Sequence, residues 1–281
     1  GLVISDTNCV QSTLTAMANS GSARNSAPAK AGRYAHLGSA TVDTPAGLMT
    51  THLRVVAMDV LITGADTDLG RTVAENFRAA GHRLVLTGAD ANTLDLVARD
   101  LGADAVGCDP ADPASLAQAK AGIPHDLDAV VIVAPPAWID GDPRTFTLAD
   151  SAVVWRSAFD RTMVSAVLVV QTVAEHLRSG GSIVSVVPVG SGSESGPESA
   201  AKAALSTWTA SQADHFGTRG ITINAVACGR PAQPGYDGLA GEPPSAATEI
   251  ARMALFLATP AARHITGQTL HVGRGAAVTY G

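Results

Sequence analysis

From Met58 onward, short continuous apolar runs alternate with longer stretches in which apolar residues recur every three or four positions. The run at 59–63 (DVLIT) is bounded by Gly64 and is short enough for a buried strand. Residues 70–80 then show helical spacing and stop at Gly81. A second strand is predicted at 83–87, a second helix at 92–101 ending at Gly102, and a third strand at 105–108. Further strands are predicted at 128–134, 182–187, 221–226 and 269–272, with long helical patterns at 153–177 and 198–216. Continuous apolar strands alternating with helices need cover on both faces. The expected fold is α/β, one doubly wound parallel sheet of about seven strands with helices on both faces, in a single domain.

The first 57 residues differ. They are rich in Ser, Thr, Ala and Gly and show no sustained periodicity, so 1–57 reads as a low-complexity extension and 58–281 as the folded domain. Met58 stands directly before the first strand, and two readings are open: an overcalled start, or a real and poorly ordered extension. Residues 1–57 carry a net charge of +2 and the whole chain −6, so the predicted domain carries −8. Nineteen Lys and Arg against 25 Asp and Glu leave no basic excess for nucleic acid. At 46% hydrophobic, the chain is too apolar to be disordered throughout. The apolar stretches at 129–137 and 164–170 fall short of the roughly 20 residues of a membrane helix. Cys9, Cys108 and Cys228 are far apart and form no CxxC pair, which favours a reducing compartment, and the cytoplasm is the expected location. The eight histidines show no metal-ligand spacing, and no metal is expected.

The first strand runs into Thr63-Gly-Ala-Asp-Thr-Asp-Leu-Gly70, a glycine turn between a buried strand and a helix. A dinucleotide pyrophosphate is held at such a place by backbone amides at the positive helix end. Further segments follow in order: Asp109 after the third strand, Trp155 opening a long helix, Gly180-Gly-Ser-Ile-Val-Ser, Ser199-Ala-Ala-Lys202, Ile223-Asn-Ala-Val-Ala-Cys-Gly229 and Ile265-Thr-Gly-Gln-Thr-Leu-His-Val. From Met58 to Gly275 the chain resembles the short-chain dehydrogenase/reductase family. That resemblance implies a Rossmann-type fold and an NAD(P)-dependent oxidoreductase acting on a carbonyl or alcohol. It also implies a small-molecule substrate and a homotetramer or homodimer built on the two long helices. Cofactor contacts are implied at Gly64, Asp68, Leu69, Gly70, Asp90, Asp109, Ala134, Lys202 and Gly229.

The sequence departs from the family pattern at the chemistry. Asp68 stands at the middle glycine of the turn, where a carboxylate either repels phosphate or is a solvated turn residue. Gly88 and Ala89 occupy the place of the acid that binds the NAD ribose. Asp90, one or two positions later, either reaches that ribose, slightly favouring NAD over NADP, or opens the next helix. Counting back from Lys202, Glu198 stands at the catalytic tyrosine position, Pro188 at the serine and Thr162 at the asparagine. Lys202 is thus kept while Tyr, Ser and Asn are replaced, and Ser191, Ser193 or Ser195 could supply a hydroxyl. Glu198 and Lys202 lie four apart on one helix face, as a proton carrier beside a cation or as a simple i,i+4 ion pair. Tyr236 lies in the region of the family's mobile substrate loop, and Cys228 reads as a small buried residue where proline is usual. The alternative function is a catalytically silent protein that binds dinucleotide or partners an active paralogue.

Overall fold

The computed structural model describes residues 34–42, 49–135, 143–187, 196–228 and 246–272. These all fall within one compact unit, Tyr34–Gly281. Seven strands form one parallel sheet: β3 (Asp59–Thr63), β4 (Arg83–Gly88), β5 (Asp104–Gly107), β6 (Leu127–Val133), β7 (Leu177–Val187), β8 (Thr222–Cys228) and β9 (Thr269–Val272). Their spatial order is β5-β4-β3-β6-β7-β8-β9. Within this sheet the chain enters at β3, winds outward to β5, then returns beside β3 at β6. The strand order therefore reverses between β3 and β6, the place where ligands bind in doubly wound sheets.

The expected sheet has its seven strands, and the apolar runs explain why it is covered on both sides. On β3, Val60 and Ile62 enter one core and Leu61 the other, all fully buried. The first core takes Val73, Ala74 and Phe77 of α1 (Asp68–Ala79) and Leu94, Val97 and Ala98 of α2 (Ala91–Leu101). The second takes Leu116 of α3 (Pro113–Ala119), Val169, Val170 and Val173 of α5 (Ser165–Val173), and Leu205 and Phe216 of α6 (Gly196–Gly217). Helix α7 (Ala246–Ala258) returns to the first core with Ile250, Ala254 and Leu257. Each fully buried Leu, Ile or Phe contributes about 1.5–3 kcal/mol, so the two cores dominate the stability of the sheet.

Several boundaries differ from the sequence reading. Helix α1 begins at Asp68, two residues earlier than expected, because Thr67 caps it and accepts from the Gly70 N–H at 3.0 Å. The helix expected over 153–177 is divided into α4 (Leu148–Phe159), a π turn (Asp160–Val164) and α5. Strand β7 starts at Leu177 rather than Ser182. Its register with β6 jumps from Leu127–Leu177 to Ala129–Ser182, and Gly180, at φ +80°, accommodates the extra residues. Within the stretch read as lacking elements, β1 (Tyr34–Val42) pairs antiparallel with β2 (Met49–Val56) as a separate two-stranded sheet. The Thr and Val content of those segments favours strands, but no long apolar alternation announces them.

At the N-terminal ends of the strands, charge is paired. Arg83 holds Asp59 through Nε at 2.5 Å and Nη2 at 2.6 Å, and Arg178 holds Asp128 at 2.7 Å. The second oxygen of Asp128 accepts the Asp59 N–H at 2.8 Å. Beside them, the buried His82 accepts the Met58 N–H on Nδ1 at 3.3 Å. No helix among the described residues is long and apolar enough to cross a membrane.

Candidate nucleotide-binding cleft

At the C-terminal ends of the strands, the chain leaves β3 through a turn that only glycine can make. Gly64 has φ +66°, and a Cβ there would lie 2.5 Å from the Val133 carbonyl oxygen at the end of β6. A Cβ at Gly70 would lie 1.9 Å from the Gly64 carbonyl oxygen. The Thr67 hydroxyl donates to that same carbonyl at 2.8 Å while accepting from Gly70 N–H. The first turn of a helix has N–H groups without intrahelical partners. The Thr67 N–H is bound to the Gly64 carbonyl and that of Gly70 to Thr67, which leaves the Asp68 and Leu69 amides for an anion. This tightly packed glycine cradle fits a pyrophosphate.

The turn opens on a cleft of about 460 Å³. Gly64, Asp66, Thr67 and Ala89 line it from β3 and β4, Asp109, Pro110 and Ala111 from the turn after β5, and Pro135 from beyond β6. Helix α4 and its π turn supply Val153, Arg156, Ser157, Asp160 and Arg161. The sequence-predicted residues divide around this cleft. Gly64 and Asp109 line it, and Asp109 also accepts the Ala111 N–H at 2.9 Å. Asp68 is exposed at the start of α1 and is not among the described lining residues. Leu69 turns its side chain onto the first core, leaving only its backbone for a ligand. Ala134 is buried, and its N–H donates to the Val186 carbonyl at 3.0 Å.

Asp90 is engaged elsewhere. It caps α2, accepting from the Thr93 hydroxyl at 2.7 Å and the Asn92 N–H at 3.0 Å. Those bonds, the Thr93 hydroxyl first, hold its carboxyl below the usual range. Glu198 and Lys202 lie one turn apart near the start of α6, both half-buried, and each makes a further polar interaction. Neither lines the described cleft. Thr162 is buried in the π turn, a helix irregularity common at functional sites. Trp155 of α4 reaches the start of α6, its ring 3.8 Å from where a Gly196 Cβ would stand. Pro188, Ser191, Ser193, Ser195, Gly229 and Tyr236 lie outside the described residues, as does the Cys228 side chain. Burial pushes the thiol pKa of Cys108 up, which does not suit a nucleophile. Among the described residues, no three His, Cys, Asp or Glu side chains gather as a metal site.

Sequence reasoning missed Asp66, Arg156, Asp160 and Arg161 as lining residues. The signal for Asp66 was present as a pair: an acid inside the glycine turn and a glycine at the end of β4.

A family model described as enoyl-(acyl carrier protein) reductase matches residues 64–277. The chain belongs to the short-chain dehydrogenase/reductase family. A Mycobacterium tuberculosis relative, Rv1856c, provisionally named an oxidoreductase, is 58% identical over 228 residues, covering 80% of this chain and all of that protein. The 3-oxoacyl-[acyl-carrier-protein] reductase FabG of Escherichia coli is 29% identical over 76% of this chain and 95% of its own length. Among solved structures, a short-chain dehydrogenase/reductase family protein superposes with a TM-score of 0.62 at 29% identity, covering 77% of this chain and 95% of that one. A blue fluorescent protein from a metagenomic library, solved in complex with NADPH, gives 0.60 at 25% identity over 78% and 97%. This chain is an oxidoreductase of the short-chain dehydrogenase/reductase family, related to the 3-oxoacyl-[acyl-carrier-protein] reductases.

Proposed function

We propose that this chain transfers hydride between a nicotinamide dinucleotide, NAD in preference to NADP, and a carbonyl or alcohol substrate. The observation that carries the reading is the tight Gly64–Gly70 turn, whose residues Gly64, Asp66 and Thr67 line the cleft at the β3/β6 reversal. When bound, the dinucleotide supplies or accepts the hydride, and the protein's part is to hold it and to manage the proton. The amides of Asp68 and Leu69 would hold the pyrophosphate, with Gly64 and Gly70 keeping the turn tight enough to present them. Asp109 would face the adenine, and Lys202 the nicotinamide ribose. Glu198, where the family carries tyrosine, would pass the proton to or from the substrate oxygen.

A second reading has its own support. Thr162, Glu198 and Pro188 stand where the family carries Asn, Tyr and Ser, and losing general acid/base help alone costs about 10²–10⁴-fold in rate. On that reading the protein binds dinucleotide without turnover. The test is fluorescence titration with NADH and NADPH, followed by a carbonyl panel headed by 3-oxoacyl-[acyl-carrier-protein], named in the FabG relative. The enzyme reading expects binding, then turnover that Glu198→Gln lowers at least tenfold. Binding with no turnover across the panel favours the silent reading. Failure to bind either nucleotide removes both.

Residues 58–281 are proposed as the dinucleotide-binding domain, assembling as a homodimer or homotetramer through α4 and α6 in the cytoplasm. Leu148, Trp155 and Val164, all exposed, give α4 and its π turn an apolar surface suited to that packing. Light scattering on the full chain checks the assembly, and a monomer contradicts it.

A further inference from the structure

The end of β4 is where a dinucleotide-binding sheet usually places the acid that hydrogen-bonds the adenosine ribose. Here the strand ends at Gly88 and has no side chain to offer. A different residue fills the space. The Asp66 carboxylate crosses from the glycine turn, and its Oδ2 accepts the N–H groups of both Ala89 and Asp90, each at 2.9 Å. A Cβ built on Gly88 would stand 2.5 Å from Asp66 Oδ1 and 2.6 Å from its Cγ. The carboxylate thus lies where a side chain from residue 88 would begin, and Gly88 is small because Asp66 is there. Asp66 and Ala89 both line the cleft. Asp66 Oδ1 makes no hydrogen bond among the described residues.

We propose that Asp66 is the cofactor-selecting residue of this protein, accepting from the adenosine ribose hydroxyls and rejecting a 2′-phosphate. The inference rests on the dinucleotide reading above and deepens it. Two effects act in the same direction. A 2′-phosphate at this place meets a fixed negative charge. It also finds the Ala89 and Asp90 amides, the local backbone donors it would need, already bound to that charge. Asp90, the acid nearest in sequence, is held by its own helix cap. The guanidinium groups of the cleft, Arg156 and Arg161, come from α4 and its π turn rather than from the β4 end. One like-charge contact of about 5 Å at an effective dielectric near 20 corresponds to roughly a hundredfold in binding.

The test uses the full chain and equilibrium binding rather than turnover. Dissociation constants for NADH and NADPH are measured by fluorescence for wild type, Asp66→Asn, Asp66→Ser, Asp90→Ala and the exchange Asp66→Ser/Gly88→Asp, with melting curves to confirm folding. Wild type is expected to prefer NADH. Asp66→Asn, which keeps the shape, is expected to reduce that preference on the order of a hundredfold, mainly through tighter NADPH. The exchange variant is expected to restore it, and Asp90→Ala to leave it unchanged. Adenosine 2′,5′-bisphosphate against 5′-AMP should show the same order without a nicotinamide. A wild-type preference for NADPH overturns the assignment. So does a preference unmoved in both Asp66→Asn and Asp66→Ser, or one that instead collapses in Asp90→Ala. A folded wild type that binds neither dinucleotide overturns the dinucleotide reading itself, and the assignment with it.

Discussion

At the N-terminal ends of the strands, Asp59 and Asp128 are bonded to Arg83 and Arg178. At the C-terminal ends, Asp66, Asp90 and Asp109 are bonded to backbone amides. The same residue type serves two purposes. Below, each carboxylate meets a guanidinium from another strand, and the charges neutralise one another while tying four strands together. Above, each carboxylate shapes a turn, its charge is left uncompensated by those bonds, and the space between the turns stays open. The lower carboxylates are spent on tying strands together, whereas the upper ones border the cleft proposed to bind nucleotide. Substitutions at the two ends should therefore separate folding from nucleotide affinity.

The largest effect is expected at the point where the binding end is also structurally tight. Gly70→Ala adds a methyl group 1.9 Å from the Gly64 carbonyl oxygen. The usual helix gain of Ala over Gly, about 1 kcal/mol, is outweighed by that overlap with backbone, for a net loss of about 2 kcal/mol or more. Urea unfolding should show it, together with loss of NADH binding.

Asp128→Ala breaks the lower cluster instead, leaving Arg178 and the Asp59 N–H without that partner. Its side chain is about one-quarter exposed, so solvent softens the loss to about 1–2 kcal/mol. NADH affinity should not change, and a matching fall in affinity would break the separation of the two ends.

His82, beside the same cluster, gives a pH signature. Burial lowers its pKa below the ordinary 6.5, with Asp128 opposing. The unfolded chain therefore binds the proton more readily. The contribution is full above pH 6.5 and is lost as pH falls below it toward the folded value. Urea midpoints at pH 7.5 and 5.5 should differ more for wild type than for His82→Asn.

The smallest effect is expected at Ser185, buried in β7 with a hydroxyl that has no partner among the described residues. Ser185→Ala should stay within about 0.5 kcal/mol of wild type, on the stabilising side.

The sheet was legible in the sequence because a parallel strand buried on both faces must be apolar at successive positions, as at Val60, Leu61 and Ile62. The Gly64–Gly70 turn was legible for the opposite reason, since missing side chains mark where backbone crowds backbone. The start of β7 was not, because Gly180 interrupts the run that defines it. The β1–β2 pair was not, because its strands lack sustained apolar alternation. The role of Asp66 was hidden by separation in sequence: its partners, Ala89 and Asp90, lie 23 and 24 residues away. A spacing rule applied to the end of β4 pointed to Asp90, which is in the right stretch of chain and is turned to its own helix.

The lower charge cluster also bears on the order of folding events. Asp59 and Arg83 are 24 residues apart in sequence, Arg178 and Asp128 50, and Asp59 and Asp128 69. Contacts that close such long loops form only after the intervening crossovers have collapsed. The cluster is therefore expected to act as a latch set late in folding rather than as a nucleus. Removing its charges should accelerate unfolding while leaving the refolding rate nearly unchanged.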